Sequence, residues 1–143
     1  IYYDFSAYTS IAIGAAKTIG VNLMQNFNKP YFATSASSFW KRWHISLMDW
    51  LKDYLFIPLG GSKKSKLITL RNVLILFVVV GLWHGANWTF VVWGALHGVF
   101  LILGIQLAKR IKAPVTFIGK SLRVLVVFHL FLSYKIMFNT YTV

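Results

Sequence analysis

Residues 72–108 form a long apolar stretch without a single Asp, Glu, Lys or Arg. One helix of this length would extend about 55 Å at 1.5 Å per residue, whereas the hydrocarbon core of a bilayer is about 30 Å thick. The stretch is therefore predicted to break, and the residues that favour a break are Gly81, Gly85 and Asn87. His84 lies at this break, and an ionisable residue within a membrane segment is a functional-site hypothesis. Because irregular backbone at membrane depth must be covered by protein or water, we expect a cavity around His84.

Basic segments flank both ends of this stretch. Four cations precede it within residues 63–71, and a second basic run follows over residues 109–123. Short basic loops face the cytoplasm, so both flanks are expected on the same side of the membrane. Two flanks on one side require an even number of crossings between them. The arms 72–83 and 88–108 are therefore predicted to form a hairpin or a re-entrant dip with His84 near its apex.

Residues 39–56 show the periodicity of an amphipathic helix. Apolar or aromatic positions recur at the spacing i, i+4, i+7 and i+11, and these are Trp40, His44, Leu47 and Leu51. Most charged residues of the segment lie elsewhere, and clustered aromatics with flanking cations are typical of a helix in the membrane interface. His44 falls on the apolar face. It is either a hydrogen-bonded packing residue or part of a site.

The remaining segments have simpler patterns. Phe5–Gly20 is rich in small residues and is predicted to be a short helix packed closely among others. Asp4 is expected to act as a cap or interface residue. Asn22–Ser38 is a connection, because its Asn-Lys-Pro sequence opposes a helix and its serines offer N-caps for the next one. Ile57–Ser62 is a turn, and Val124–Tyr134 begins a last apolar segment.

The composition agrees with a membrane protein, since 57% of the 143 residues are hydrophobic and the mean hydropathy is +0.63. The net charge of +12 would suggest nucleic acid in a soluble protein. Here the cations flank apolar segments, which indicates contact with anionic lipid and not with nucleic acid. The chain contains no cysteine, so it has no disulfide and no thiol nucleophile or ligand. We interpret it as an internal piece of a longer membrane protein.

The four histidines, His44, His84, His97 and His129, carry the candidate chemistry. None is spaced i, i+4 from another and no carboxylate lies within 72–108, so no metal site is expected. A GxSxG nucleophile motif is also missing from the sequence. A neutral histidine acting as a general base remains, and His84 is the preferred candidate. His97 and His129 are interpreted as structural.

Five segments carry a further signal: DFSAY (4–8), NFNKPY (26–31), FWKRWHISL (39–47), DYLFIPLGG (53–61) and GLWHGANW (81–88). Together they resemble the membrane-bound O-acyltransferase family, closest to its bacterial alginate O-acetylation proteins, with the D-alanyl transfer protein of teichoic acids as a relative. The segments occur in consistent order between residues 3 and 103, and the match thins after Leu103. The IPLGG turn favours the alginate branch over the D-alanyl branch. Residues 134–140 depart from the family pattern, in which an aromatic pair is followed by arginine.

The resemblance implies a fold class and a site. The chain is expected to be an all-α polytopic membrane protein, a single fragment (1–143) of a larger acyltransferase core, with broken or re-entrant membrane helices and an interfacial amphipathic helix. The family's catalytic base corresponds to His84, and the second histidine of the same site corresponds to His44. Substrate contacts are assigned to Trp40, Trp83, Asn87 and Trp88.

The resemblance also implies a reaction and its partners. An acyl group, expected to be acetyl, is transferred from a cytoplasmic acyl-CoA or other acyl thioester, with no bound cofactor and no metal. The acceptor is a hydroxyl group destined for cell-surface polysaccharide, and a periplasmic or surface acyltransferase completes the transfer. The protein is expected to be a multi-pass protein of the inner or plasma membrane in contact with membrane lipid. The alternative is a channel or transporter segment in which His84 relays protons.

Overall fold

The computed structural model describes residues 2–110 and 116–139, except for the side chains of residue 110 and residues 132–139. Of the predicted basic run 109–123, residues 111–115 lie outside this part, and so does the end of the divergent stretch 134–140. Every regular element described is helical. The elements are α1 (Tyr2–Thr18), a 3-10 turn (Pro30–Phe32), α2 (Ala36–Trp40), α3 (Ile45–Leu51), a π-helical turn (Lys52–Phe56), α4 (Lys66–His84), α5 (Trp88–Arg110) and α6 (Phe117–Asn139).

Helices α4 and α5 form the predicted hairpin. Among the described residues, Lys66–His84 and Trp88–Lys109 are the two helices long and apolar enough to cross a membrane. The break falls at residues 85–87, as the sequence predicts. Because α4 begins at Lys66, its 19 residues extend about 28 Å, which favours two full spans over a shallow dip.

Gly81 does not break the helix, contrary to the prediction. It lies inside α4, where a Cβ atom would meet the backbone carbonyl of Phe90 on α5. Gly94 on α5 occupies the reciprocal position, because its Cβ would meet the backbone carbonyl of Phe77. Small residues at such crossings let membrane helices approach closely. The sequence pattern of Gly81 therefore reflects helix contact and not a turn.

The single amphipathic helix predicted over residues 39–56 is wrong in its continuity. The segment contains the end of α2, then α3, then the π-helical turn, and the chain changes direction at His44, whose φ of 46° lies in the left-handed region. The prediction of its faces is confirmed, since Leu51 is buried while Lys41 and Asp49 are exposed. The apolar pattern of the sequence continues past the change of direction at His44, because α2 and α3 both pack their apolar residues against the core.

The turn after the π-helical segment is held by a buried amide. The Nδ2 group of Asn72 donates hydrogen bonds to the carbonyl oxygens of Leu59 (3.1 Å) and Gly61 (3.2 Å). Its Oδ1 atom accepts from the guanidinium of Arg71 at 3.0 Å. A buried amide with both ends satisfied fixes the turn rigidly to the start of α4. The turn predicted over Ile57–Ser62 is confirmed.

The core lies where α2 packs against the α4–α5 hairpin and α6. Its fully or nearly buried apolar residues are Ala33, Phe39, Trp40, Leu51, Leu76, Phe77, Val80 and Val127. The predicted helix over Phe5–Gly20 forms as α1, but it has no buried residue among those described, so its expected close packing is not found there. Only its first turn reaches inward, through Tyr2 and Phe5. The Ser35 side chain caps α2, as predicted.

Candidate functional site

The break between α4 and α5 is built by capping and by ring packing. Helix α4 ends at His84, and the Asn87 side chain starts α5 by accepting a hydrogen bond from the Thr89 N–H at 3.1 Å. Gly85 leaves room for Phe90, since a Cβ atom at this position would lie 2.6 Å from the Phe90 ring. The Phe90 ring stacks beside His84 with 6.4 Å between ring centroids. These contacts fix where the imidazole of His84 lies.

His44 lies between α2 and α3 in a backbone conformation that few residues other than glycine adopt. Its φ of 46° and ψ of 55° are left-handed, which costs a non-glycine residue about 1–2 kcal/mol. The segment 26–28 runs alongside and compensates with backbone bonds: Asn28 N–H to Arg42 O and Ile45 N–H to Asn26 O, both 3.0 Å. Strained residues held in this way are concentrated at functional sites.

The Asn26 side chain adds to this arrangement. Its Oδ1 atom accepts hydrogen bonds from both the backbone N–H, at 3.1 Å, and the hydroxyl of Ser46. Ser46 lies in the first turn of α3, two residues after His44. The connection that precedes α2 is therefore tied to both sides of His44.

The three histidines of the hairpin region are linked by tryptophan rings. Edge-to-face contacts run from His44 to Trp83 (6.0 Å), Trp83 to His84 (5.0 Å), His84 to Trp93 (5.1 Å) and Trp93 to His97 (4.5 Å). We call these five residues the ring series. Such contacts are directional and fix ring orientation. Elements 40 residues apart in sequence thus place His44 and His84 against one shared indole.

The electrostatic setting of His44 favours its neutral form. Burial lowers the pKa of the His44 imidazole below its ordinary value of 6.5, and the neighbouring His84 lowers it further. The Nδ1 atom of His44 is buried and makes no hydrogen bond within the described part of the chain. A neutral imidazole with a ring nitrogen available can accept or donate a hydrogen bond to a bound group.

The structure brings some predicted site residues together and separates others. His44, Trp83 and His84 are in contact, whereas Trp88 is 81% exposed and Asn87 uses its side-chain oxygen as a helix cap. Trp40 lies in the core, 5.3 Å from His97 and 4.9 Å from Phe77 between ring centroids, and not against His44 or His84 in the described contacts. Its placement is that of a core residue.

The prediction of a cavity around His84 is wrong for this chain. The His84 side chain is exposed in the part of the chain that the structure describes. Its ring contacts Trp83, Phe90 and Trp93. The other histidines follow the sequence analysis more closely. His97 is 4% exposed in the core, and His129 is exposed, with its Nδ1 atom 2.8 Å from the carbonyl of Leu125 in its own helix.

Trp93, Phe90 and Asn26 contribute to the site but were not singled out by sequence. The i, i+4 spacing of Trp93 and His97 puts both side chains on one helix face, and this spacing could have identified Trp93 as a neighbour of the histidine. No comparable signal marked Phe90, which depends on the absence of a side chain at Gly85. Asn26 depends on a contact with Ser46 across 20 residues of sequence.

A cavity of about 690 Å³ lies between α5, α6 and the start of α2. Its wall is mainly apolar, with His97 at one end and Gln106 and Arg123 among the polar residues that line it. Residues 97–108 of α5 border the cavity over about 16 Å of helix. Within the described residues there is no group of three or more His, Asp or Glu side chains that could hold a metal ion.

Comparison with known proteins gives the family. A model of the membrane-bound O-acyltransferase family matches residues 1–143. The chain belongs to this family. A probable alginate O-acetylase from Azotobacter vinelandii is 51% identical over 113 residues, which cover 79% of this chain and 22% of the relative. The resemblance inferred from the sequence motifs is thereby confirmed.

Two further relatives separate the branches of the family. A peptidoglycan O-acetyltransferase from Helicobacter pylori is 50% identical over 101 residues, or 71% of this chain and 19% of the relative. A teichoic acid D-alanyltransferase from Bacillus subtilis is 33% identical over 108 residues, or 71% of this chain and 27% of the relative. The lower identity agrees with the prediction from the IPLGG turn. The chain spans between about a fifth and about a quarter of the length of these relatives.

Proposed function

We propose that this chain forms the histidine-bearing core of an enzyme that transfers an acyl group from a thioester donor to a hydroxyl acceptor. The observation that carries the proposal is the convergence of His44 and His84 on Trp83, in a chain that belongs to a family of O-acyltransferases. Acetyl is the acyl group we infer, because the relatives with 50% identity or more are named for O-acetylation. A cell-surface polysaccharide is the acceptor class.

In this mechanism the neutral imidazole of His84 takes the proton of the acceptor hydroxyl as its oxygen attacks the thioester carbonyl. The new C–O bond forms, the C–S bond breaks, and the thiolate leaves and receives the proton from the imidazolium. His44 orients the acceptor, since burial keeps its imidazole neutral and its Nδ1 atom is available for a hydrogen bond. Trp83 forms the wall between the two histidines. We assign Trp88 and Asn87 to the acceptor side of the break.

We assign the thioester donor to the cavity between α5, α6 and the start of α2, away from the acceptor side of the break. The cavity along residues 97–108 opens among apolar side chains and includes Arg123, which suits an extended acyl thioester that carries an anionic group. No bound cofactor or metal is required by this scheme. Trp40 packs edge-to-face against His97 in the core and would act on substrate through packing alone. A periplasmic or surface acyltransferase would then pass the group to the polysaccharide.

The proposed setting is the inner or plasma membrane, as part of a multi-pass protein in contact with lipid. The hairpin brings the start of α4 and the end of α5 to one side, and both carry cations, which supports a cytoplasmic location for these ends. Single cysteines at Ser62 and Thr116 are expected to react with a membrane-impermeant maleimide only from the cytoplasm. Residues 1–143 contain no native cysteine. Labelling of either position from outside would overturn this topology.

The reaction itself is tested with the full-length protein in vesicles and a labelled acyl thioester. We expect donor consumption that depends on an added hydroxyl acceptor, with the label recovered as an oxygen ester. The same vesicles report on the alternative of a channel or transporter, through a pH-sensitive dye inside. Proton flux without any consumption of thioester would contradict the enzyme and support the proton-relay role of His84.

A further inference from the structure

His44 begins helix α3 but does not cap it. An N-cap side chain ordinarily accepts a hydrogen bond from one of the first free N–H groups of its helix. The His44 side chain makes no such bond, and its ring instead contacts Phe5 and Trp83, with 5.0 Å and 6.0 Å between ring centroids. The acceptor for the Ser46 N–H comes from Asn26, 20 residues away.

We infer that Asn26 is a positioning residue, which caps α3 in place of His44 and so leaves the His44 imidazole directed at Trp83 and the reaction site. This inference rests on the proposed acyl transfer for its catalytic meaning. The backbone bonds between segments 26–28 and 42–45 would form with almost any residue at these positions. Only the Asn26 side chain supplies the oxygen that Ser46 requires. Without it, the first turn of α3 would recruit another acceptor or open, and His44 would leave its left-handed conformation.

The test compares three variants of the full-length protein in the acyl-transfer assay. Asn26→Ala removes the acceptor, and we expect kcat to fall by about 10- to 100-fold with little change in the KM for the thioester, since misplacing a positioned group by about 1 Å has effects of that size. Asn26→Asp keeps a side-chain oxygen that can accept at the helix cap, now as part of a carboxylate, and should restore most of kcat. Asn28→Ala is the matched control, because the bond from Asn28 to Arg42 uses the backbone only.

A second measurement does not depend on catalysis. Diethyl pyrocarbonate modification of His44, followed by peptide mass spectrometry, should be several-fold faster in Asn26→Ala than in wild type, and unchanged in Asn26→Asp and Asn28→Ala. Equal His44 reactivity in Asn26→Ala and Asn28→Ala would overturn the inference. If Asn26→Ala fails to accumulate, a folded Asn26→Asp protein that has lost transfer would overturn it as well. A wild-type protein without transfer would refute the proposed function alone, because the reactivity comparison still decides the position of His44.

Discussion

Replacing His84 by alanine is expected to lower acyl transfer by about 10²–10⁴-fold, the usual contribution of a general base. The abundance of the protein in the membrane should stay near that of the wild type. His84 is the last residue of α4 and its side chain is exposed in the described part of the chain, so little packing is lost with it. The measurement is transfer by the full-length variant at matched protein level, with its partner supplied.

Two other histidines of the chain provide matched controls. His129→Ala should affect neither rate nor abundance, since the side chain is exposed and bonds to its own helix. His97→Ala should lower abundance more than the rate per molecule, because a side chain that is 4% exposed leaves a cavity when it is removed. Near-normal transfer in His84→Ala, or equal losses of rate in His84→Ala and His97→Ala, would leave His84 as a structural residue of the hairpin.

The pH dependence gives an independent check on the role of His84. A general base must be unprotonated to accept a proton, so the rate should rise with pH through one histidine ionisation and then level off. His44 contributes to this profile in a defined direction, because its lowered pKa keeps it neutral through the neutral pH range. A profile that falls with rising pH across that range would contradict the assignment of a histidine base.

The break at residues 85–87 could be predicted because it follows from length alone: an uncharged stretch much longer than a bilayer must turn. The faces of residues 39–56 could be predicted for a similar reason, since burial selects for apolar side chains whatever the backbone does. The continuity of that segment could not. A left-handed residue at His44 leaves no mark in hydrophobic periodicity, because it is stabilised by the distant segment 26–28.

The role of each glycine could not be predicted from the sequence either. A glycine in an apolar helix can mark a turn or a close contact, and the sequence does not separate the two at Gly81 and Gly85. Only the position of the second helix decides, since Gly81 faces the backbone of α5 and Gly85 faces the Phe90 ring. The enclosure expected around His84 failed for a different reason. It depended on what surrounds the hairpin, which is not encoded in the hairpin's own pattern.

Gly94→Ala is expected to disrupt the α4–α5 hairpin and to reduce folded protein more than a methyl group added at Gly98 or Gly14. The new Cβ would overlap the backbone carbonyl of Phe77 and lie 3.1 Å from the Cα of Gly81. Backbone atoms of a packed helix cannot rotate away as a side chain can, so the two helices must separate. Overpacking of this kind costs about 1–3 kcal/mol, and occasionally more. Separation would also move Trp93 relative to His84, so transfer per folded molecule should fall too.

Two other glycines make the experiment quantitative. At Gly98 the nearest atom to an added Cβ is the Leu74 side-chain Cδ2 at 3.2 Å, which can adjust, so Gly98→Ala should be only mildly destabilising. At Gly14 nothing lies within 4 Å, and Gly14→Ala should raise stability slightly, because alanine exceeds glycine in helix propensity by about 0.8–1 kcal/mol. Thermal unfolding of the purified full-length variants in detergent should therefore rank Gly14→Ala above Gly98→Ala, and Gly98→Ala above Gly94→Ala. If Gly94→Ala unfolds at the same temperature as Gly98→Ala, the close crossing of α4 and α5 does not exist in the folded protein, and the contact between His84 and Trp93 loses its structural basis.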